Sequence, residues 1–499
     1  MGASDALTEA LTRWTGALHA PQERRRLAGA ALATLARAAG DGPTLAPDRP
    51  LVCTAFDGTS VAAAVALMVL WARGYAPAPL DLRLGPSELA VRLRLVRPRV
   101  VLVGSQSESL VAAALAEARL ADVRMVELGD EPTAWRGLPP AREAAAADPG
   151  LIVFTSGTSG TPKGVVLTRA NLLACASAVA AAQRLTAADR ALNALSLAHV
   201  NAPVVALLAT VLAGGDLVQL RRFDPAQFWR LAAEEGVSWA NLVPPLIATL
   251  ARYPGARGDV TPAELRFVRS ASAPLPVPVL AEFEGEFGVA VVESYGISEA
   301  ASQVTINDPP PGRRVPGAVG TPRGVRLRLV DEQGGDVPPG QPGEVLVQGP
   351  SVMQGYLDDP AATDGALRGG WLHTGDVGVL DEAGVLRLVG RRTEIINRGG
   401  EKIPPRLVEE ALLEHPAVVD AAAVGIPDAI YGEEIKAFVV LREGSDLRER
   451  ELRAIASARL PLHARPRVWE IVAAIPRNAA GKIVRRALAG AGAASSELP

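Results

Sequence analysis

The amino-acid sequence predicts an α/β protein: a large N-terminal domain of layered sheets with helices, bearing a β-rich subdomain, then a small α+β domain. Three observations carry that prediction. From about residue 50 to 300, short apolar runs (Leu51-Val52-Cys53, Val100 to Val103, Leu151 to Phe154) alternate with Ala/Leu-rich stretches such as Leu172 to Ala182. This is the βαβ signature of a mainly parallel, helix-covered sheet. Between about 310 and 390, Gly/Pro turns separate short alternating strands, among them Arg326 to Val330 and Gly343 to Val347. After Gly390-Arg391-Arg392 the pattern resets: a turn at Asn397 to Gly400, a helix opened by prolines at Pro405 to Glu414, and strands near Val418 to Val424 and Ala437 to Leu441. The expected division is residues 1–390 for the N-terminal domain, a junction near 391–393, and 394–499 for the C-terminal domain.

The most apolar stretch, Val61 to Trp71, reads as a core helix, because a bilayer span needs roughly 20 apolar residues. With 499 residues, two or three domains are expected at about 150 residues per domain. A formal net charge of −3 shows no basic excess, so neither nucleic acid nor an anionic membrane surface is implied as a partner. The N-terminus lacks a basic segment followed by an apolar one, and two cysteines, Cys53 and Cys175, make no disulfide framework. Both point to the reducing cytoplasm.

Residues Thr155 to Gly164 (Thr-Ser-Gly-Thr-Ser-Gly-Thr-Pro-Lys-Gly) are the richest in chemistry. Gly157, Gly160 and Gly164 let backbone N–H groups approach an anion, Thr155, Ser156, Thr158, Ser159 and Thr161 add hydroxyl donors, and Lys163 adds a charge. Apolar runs on both sides make this a strand-to-strand turn that suits a polyphosphate. It is not a Walker loop, since Gly164 stands where Ser or Thr would follow the lysine. Among 51 Lys and Arg residues only Lys163, Lys402, Lys436 and Lys482 are lysines, and three of these sit in Gly-rich motifs where a compact ammonium suits better than a planar fork.

Three further segments accompany the loop: Ser294-Tyr295-Gly296-Ile297-Ser298-Glu299 after an apolar run, Trp371 to Asp376 ahead of a strand, and Pro476 to Lys482 near the C-terminus. Taken singly each reads as a turn or a solvated corner. Together, and in this order, they resemble the ANL superfamily of adenylate-forming enzymes over about residues 20 to 490.

The resemblance implies ATP-dependent activation of a small-molecule carboxylic acid to an acyl-adenylate, then transfer to a thiol. It implies that the phosphate loop holds the β- and γ-phosphates, that Glu299 and Thr158 bind Mg²⁺, and that Ser272, Ala273, Pro274, Ser294, Tyr295 and Gly296 line the nucleotide site, with Tyr295 on the adenine. Asp376 and Arg391 would grip the ribose. Lys482 would bridge the acid and the α-phosphate, and Ser298 keeps the hydroxyl of a position that is commonly Thr. His199, Val200, Asn201, Asn241, Ser270 and Gln303 would form the acid pocket. There His199 reads equally as a gate and as a structural histidine. The loop Arg398, Gly399, Gly400 and Lys402 would serve the thiol after the C-terminal domain rotates. Thr393 stands at a hinge position that is usually Asp or Lys.

An α-amino acid is disfavoured, because Asn201 stands where amino-acid-activating relatives place an Asp for the ammonium. The segments 294–320, 396–404 and 425–428 look most like the small-acid branch that includes oxalate-CoA ligases. That branch usually has His at the positions of Asn201 and Ser302, so a different small or aromatic acid is expected. CoA is the default acceptor, with a separate carrier protein, an amine, or activation of an unusual oxyanion as alternatives. A non-catalytic nucleotide-binding scaffold predicts a broken set, whereas Lys163, Glu299, Asp376, Arg391 and Lys482 are all present.

Overall fold

The computed structural model describes residues 5–37, 42, 45, 49–128, 135–156, 162–253, 262–477 and 482–490. The βαβ reading is borne out as two separate sheets. One has nine strands, in the order Thr321–Pro322, Thr305–Ile306, Ala290–Tyr295, Phe267–Ser270, Trp239–Leu242, Arg190–Asn193, Asp216–Gln219, Ala17–Ala20, Arg25–Ala28. Its six strands from Ala290–Tyr295 to Ala17–Ala20 run parallel. The other is a four-stranded parallel sheet of Ala76–Pro79, Leu51–Ala55, Val100–Val103 and Arg124–Glu127.

Between these layers lies the helix Val61–Ala72, capped by the Ser60 hydroxyl on the Ala63 N–H, with every residue from Val61 to Trp71 buried. A helix apolar all round has no solvent face to spare, which is why its sequence shows no amphipathic period. Each buried Val, Leu or Met there contributes about 1.5–3 kcal/mol by leaving water. The helix expected at Leu172 to Ala182 extends to Arg169–Gln183, because Thr168 and Asn171 form a reciprocal cap that starts it earlier.

Residues 5–28 hold structure that the sequence pattern did not reveal. Ala17–Ala20 and Arg25–Ala28 form an antiparallel hairpin that adds to the large sheet across from Asp216–Gln219. The arginine run within it hides the strand period.

The β-rich subdomain is a five-stranded antiparallel sheet built on Trp371–Leu380. The Trp371 to Asp376 motif lies inside this strand rather than ahead of it. Its burial alternates strictly, with Leu372, Thr374 and Asp376 facing inward. In the C-terminal region Glu401–Ile403, Ile396–Arg398, Gly432–Leu441 and Val418–Asp428 form a sheet, backed by the helix Pro405–Leu413. Arg406 ties this region to the rest, donating to the carbonyl oxygens of Leu388 at 3.0 Å and Gly317 at 3.4 Å. Among the described residues no helix is long and apolar enough to cross a membrane.

Candidate active site

Two cavities meet at Ser272, which lines both. The first, of about 410 Å³, is bounded by Ser272-Ala273-Pro274, by Ser294-Tyr295-Gly296, by Asp376 and Arg391, and by Lys482. It thus gathers the residues expected at the base and ribose, while Thr155 and Lys163 of the phosphate loop do not line it. Ser270, expected at the acid, lines this cavity as well.

Local geometry explains the gathering. The parallel strand Ala290–Tyr295 delivers Tyr295 at its C-terminal end, where ligands of such sheets bind. Gly296 follows because a Cβ there would overlap the carbonyl oxygen of Ser302. Ser272 and Ser302 hold positive φ values of 74° and 98°, which is backbone strain concentrated at the site.

Asp376 and Arg391 are direct cross-strand partners, so sheet register alone places them together. Arg391 Nε lies 2.9 Å from Asp376 Oδ1, and the Tyr295 hydroxyl donates to Asp376 Oδ2 at 2.6 Å. Burial, and then the adjacent carboxylate, push the Tyr295 phenol well above its usual range. Lys482 presents its side chain to the open cavity, yet protein surrounds it at that depth. Burial and the Arg391 charge hold its ammonium below the usual lysine range, opposed by Asp376, Glu299 and Glu394. At the proposed hinge, Arg392–Glu394 is a short 3₁₀ turn, and Arg485 Nε meets Glu394 at 3.0 Å.

The phosphate-loop reading rests on the hairpin Pro149–Ser156 with Pro162–Thr168, where Thr155 pairs with Lys163. Gly157, Thr158, Ser159, Gly160 and Thr161 lie outside the described residues. Lys163 Nζ sits 4.8 Å above the ring of Tyr356, and the Tyr356 hydroxyl donates to Glu299 Oε1 at 2.9 Å. Tyr356 belongs to Gly355–Tyr356, which pairs with the outer strand of the hairpin. It escaped the sequence reading because its partners lie far away in sequence. Ser298 opens the turn Ser298–Ala300 that carries Glu299.

The second cavity, of about 720 Å³, is lined by His199, Asn201 and Ser272, and by Asp81 and Arg83, which the sequence reading had not marked. His199 Nε2 lies 3.1 Å from Arg83 Nη2 and 3.5 Å from Asp81 Oδ2, between a donor and an acceptor. Burial raises the Asp81 carboxyl, but hydrogen bonds from His199 and Arg83 together with the Arg83 charge outweigh it and hold Asp81 well below the usual range. Asn241, hydrogen-bonded to Asn201, and Gln303 are buried and do not line this cavity, and Val200 packs in the main core. Both amide atoms of Gln303 lack a hydrogen-bond partner among the described residues. After Asn201 the chain forms a wide π-helical stretch, Ala202–Leu208, a geometry often found at sites.

None of Arg398, Gly399, Gly400 and Lys402 lines the Lys482 cavity. Gly399 and Gly400 turn the hairpin at φ values of 62° and 93°, which favour glycine. Arg398 is buried against Glu434 at 2.9 Å, and Lys402 pairs with Glu332 on the N-terminal side.

Fold and site together define an enzyme of a large N-terminal and a small C-terminal domain, with a lysine of the C-terminal region lining a cavity that both regions share. The AMP-binding enzyme family matches residues 54–357, and the AMP-binding enzyme C-terminal domain matches 407–482. The chain belongs to the AMP-binding enzyme family, within the ANL superfamily, and its class is that of AMP-forming acid–thiol ligases. It is 40% identical to the sulfoacetate–CoA ligase of Cupriavidus necator, over 82% of this chain and 81% of that protein. It is 37% identical to the oxalate–CoA ligase of Arabidopsis thaliana, over 68% and 67% of the respective chains. The ATP-bound structure of MatB from Rhodopseudomonas palustris superposes with a TM-score of 0.86 at 27% identity, over 97% of each chain.

Proposed function

We propose that this protein activates a small carboxylic acid with ATP and passes the acyl group to CoA through one site used twice. The observation that carries this reading is Lys482, from the C-terminal region, in the same cavity as Asp376 and Arg391. In the first step a carboxylate oxygen bonds to the α-phosphorus and the bond to the β-phosphate bridging oxygen breaks, releasing pyrophosphate. Anion meets anion, so Lys482 and Arg391 supply the positive charge that the approach needs. In the second step the thiol sulfur bonds to the acyl carbon, its proton goes to solvent, and AMP leaves.

Asp376 suits the ribose, since one carboxylate accepts from two hydroxyls, and Tyr295 lies beside it for the base. Lys163 and its hairpin suit the β- and γ-phosphates. Among the described residues only Tyr356 hydrogen-bonds the Glu299 carboxylate, which leaves an oxygen for a metal ion. A lone carboxylate beside a phosphate-binding hairpin fits Mg²⁺, which binds through one or two carboxylates plus substrate phosphates. Bound there, Mg²⁺ would offset polyphosphate charge; Thr158 would be its second protein contact. The lower cost of moving one small domain than of building two sites favours rotation near 391–393, which would withdraw Lys482 and bring up the loop at Gly399-Gly400. Two buried cysteines suit a cytoplasmic setting.

The relatives act on sulfoacetate and oxalate, which supports a small acid as substrate. The test is release of AMP and pyrophosphate across a panel of small, aromatic and amino acids and inorganic oxyanions, with and without CoA. A CoA thioester formed with one acid supports the reading. Adenylate without thioester moves the acceptor to a carrier thiol or an amine, and silence across the panel contradicts it.

A further inference from the structure

Behind the proposed acid cavity lies a cation with no carboxylate partner among the described residues. Arg269, on the strand Phe267–Ser270, is 1% exposed, and no Asp or Glu lies within ion-pair distance of it among the described residues. Its Nη1 donates to Asn201 Oδ1 at 3.1 Å and to Asn241 Oδ1 at 3.3 Å, and its Nε has no hydrogen-bond partner among those residues. Burial pulls its pKa down to about 10, so it stays charged at neutral pH. A buried charge paired only with neutral amides is costly to hold in the fold, and an anion nearby removes that cost.

The hydrogen bonds fix which way the amides face. Arg269 only donates, so the Asn201 oxygen must turn toward it, and Asn241 Nδ2 reinforces that orientation at 3.3 Å. The Asn201 NH₂ is left pointing the other way, 3.4 Å from Ser272 Oγ at the junction of the two cavities. A donor polarised by a buried guanidinium therefore faces the acid cavity. Charges on the cavity wall are equal in number: Arg83 pairs with Asp81 at 2.7 Å, Arg221 lies 3.8 Å from Asp57, and Arg25 and Glu23 are the other two. Arg269 is the charge left over.

We infer that the Asn201 amide, backed by Arg269, is a subsite for a second anionic group, so that the acid activated here is a short dianion whose far end is a carboxylate or sulfonate. The inference rests on the ligase reading and names its substrate class. The reacting carboxylate lies toward Lys482, which lines one cavity, and the far anion toward Asn201, which lines the other.

The experiment measures kcat/KM for pyrophosphate release with matched acids: malonate against its monomethyl ester, and sulfoacetate against methylsulfonylacetate. The wild-type protein favours the dianion at least tenfold in one pair, and Arg269→Met brings that ratio near one through a higher KM for the dianion. Asn201→Asp gives Arg269 a carboxylate partner and so preserves folding; it blocks the dianion while admitting acids whose far end is an ammonium, such as β-alanine. Thermal unfolding verifies that each variant is folded. A wild-type preference for the esters, or a ratio unchanged in both variants, overturns the subsite while leaving the ligase intact. Absence of pyrophosphate release with every acid overturns the ligase reading and the subsite with it.

Discussion

Tyr295 and Asp376, 81 residues apart, are joined by a 2.6 Å hydrogen bond between the phenol and one carboxylate oxygen, while Arg391 holds the other oxygen from the neighbouring strand. The carboxylate is thereby oriented before any nucleotide arrives. A preset acceptor loses little freedom on binding, which would strengthen the proposed contact to a ribose.

Replacing Asp376 by Ala removes that acceptor and leaves the buried Tyr295 hydroxyl without its partner. ATP affinity falls about ten- to a hundredfold, and stability falls by about 1–3 kcal/mol. Calorimetric titration with ATP and denaturant unfolding check the two effects; unchanged nucleotide affinity counts against the ribose contact.

Lys482→Ala stops formation of adenylate from acid and ATP but spares thioester formation from supplied acyl-adenylate. Because burial and Arg391 lower the lysine's pKa, wild-type adenylation declines as pH rises through that lowered value, sooner than an ordinary lysine would dictate. Equal loss in both half-reactions contradicts the role assigned to Lys482.

Tyr356→Phe keeps the ring beneath Lys163 and deletes only the hydroxyl on Glu299. Glu299 then loses its orienting bond, worth about 0.5–3 kcal/mol, and the Mg²⁺ concentration for half-maximal pyrophosphate release rises several-fold. An unshifted Mg²⁺ titration separates Tyr356 from the metal.

Glu293 sits one strand residue before Ser294, with burial pushing its carboxyl up to about 7 and the Gly317 N–H at 2.9 Å opposing. In the unfolded chain it ionises near 4.5. Between those values the folded state retains a proton that the unfolded state has lost, so stability falls as pH rises from about 4.5 to 7 and is flat above, by about 3 kcal/mol in all. Glu293→Gln keeps the Gly317 contact and removes this slope; the variant's advantage over wild type therefore grows with pH in urea melts. A constant difference across that window counts against the raised value.

Much of the site was readable in the sequence where function and local motif coincide. The glycines and hydroxyls of the phosphate loop, the Tyr295-Gly296 turn and Gly481-Lys482 announce themselves within a few residues. Asp376 and Arg391 were readable as motif residues, but their pairing required sheet register, and a bulge between Val377 and Gly378 shifts that register. Arg269, Arg83 and Tyr356 lay beyond reach for one physical reason: each meets a partner distant in sequence, Asn241 for Arg269, His199 for Arg83 and Lys163 for Tyr356. His199 read as either a gate or a structural residue; it contacts Arg83 and lines the larger cavity. The hairpin Ala17–Ala20 with Arg25–Ala28 was hidden because edge strands carry charge that masks alternation.

The most direct measurement is acid-dependent exchange of labelled pyrophosphate into ATP without CoA, in wild type and in Lys482→Ala. The account predicts exchange in the wild type, because the adenylate forms and reverses before any thiol is needed, and its loss in the variant. Exchange that requires CoA, or exchange that survives in Lys482→Ala, would contradict a two-step adenylate reaction centred on this cavity.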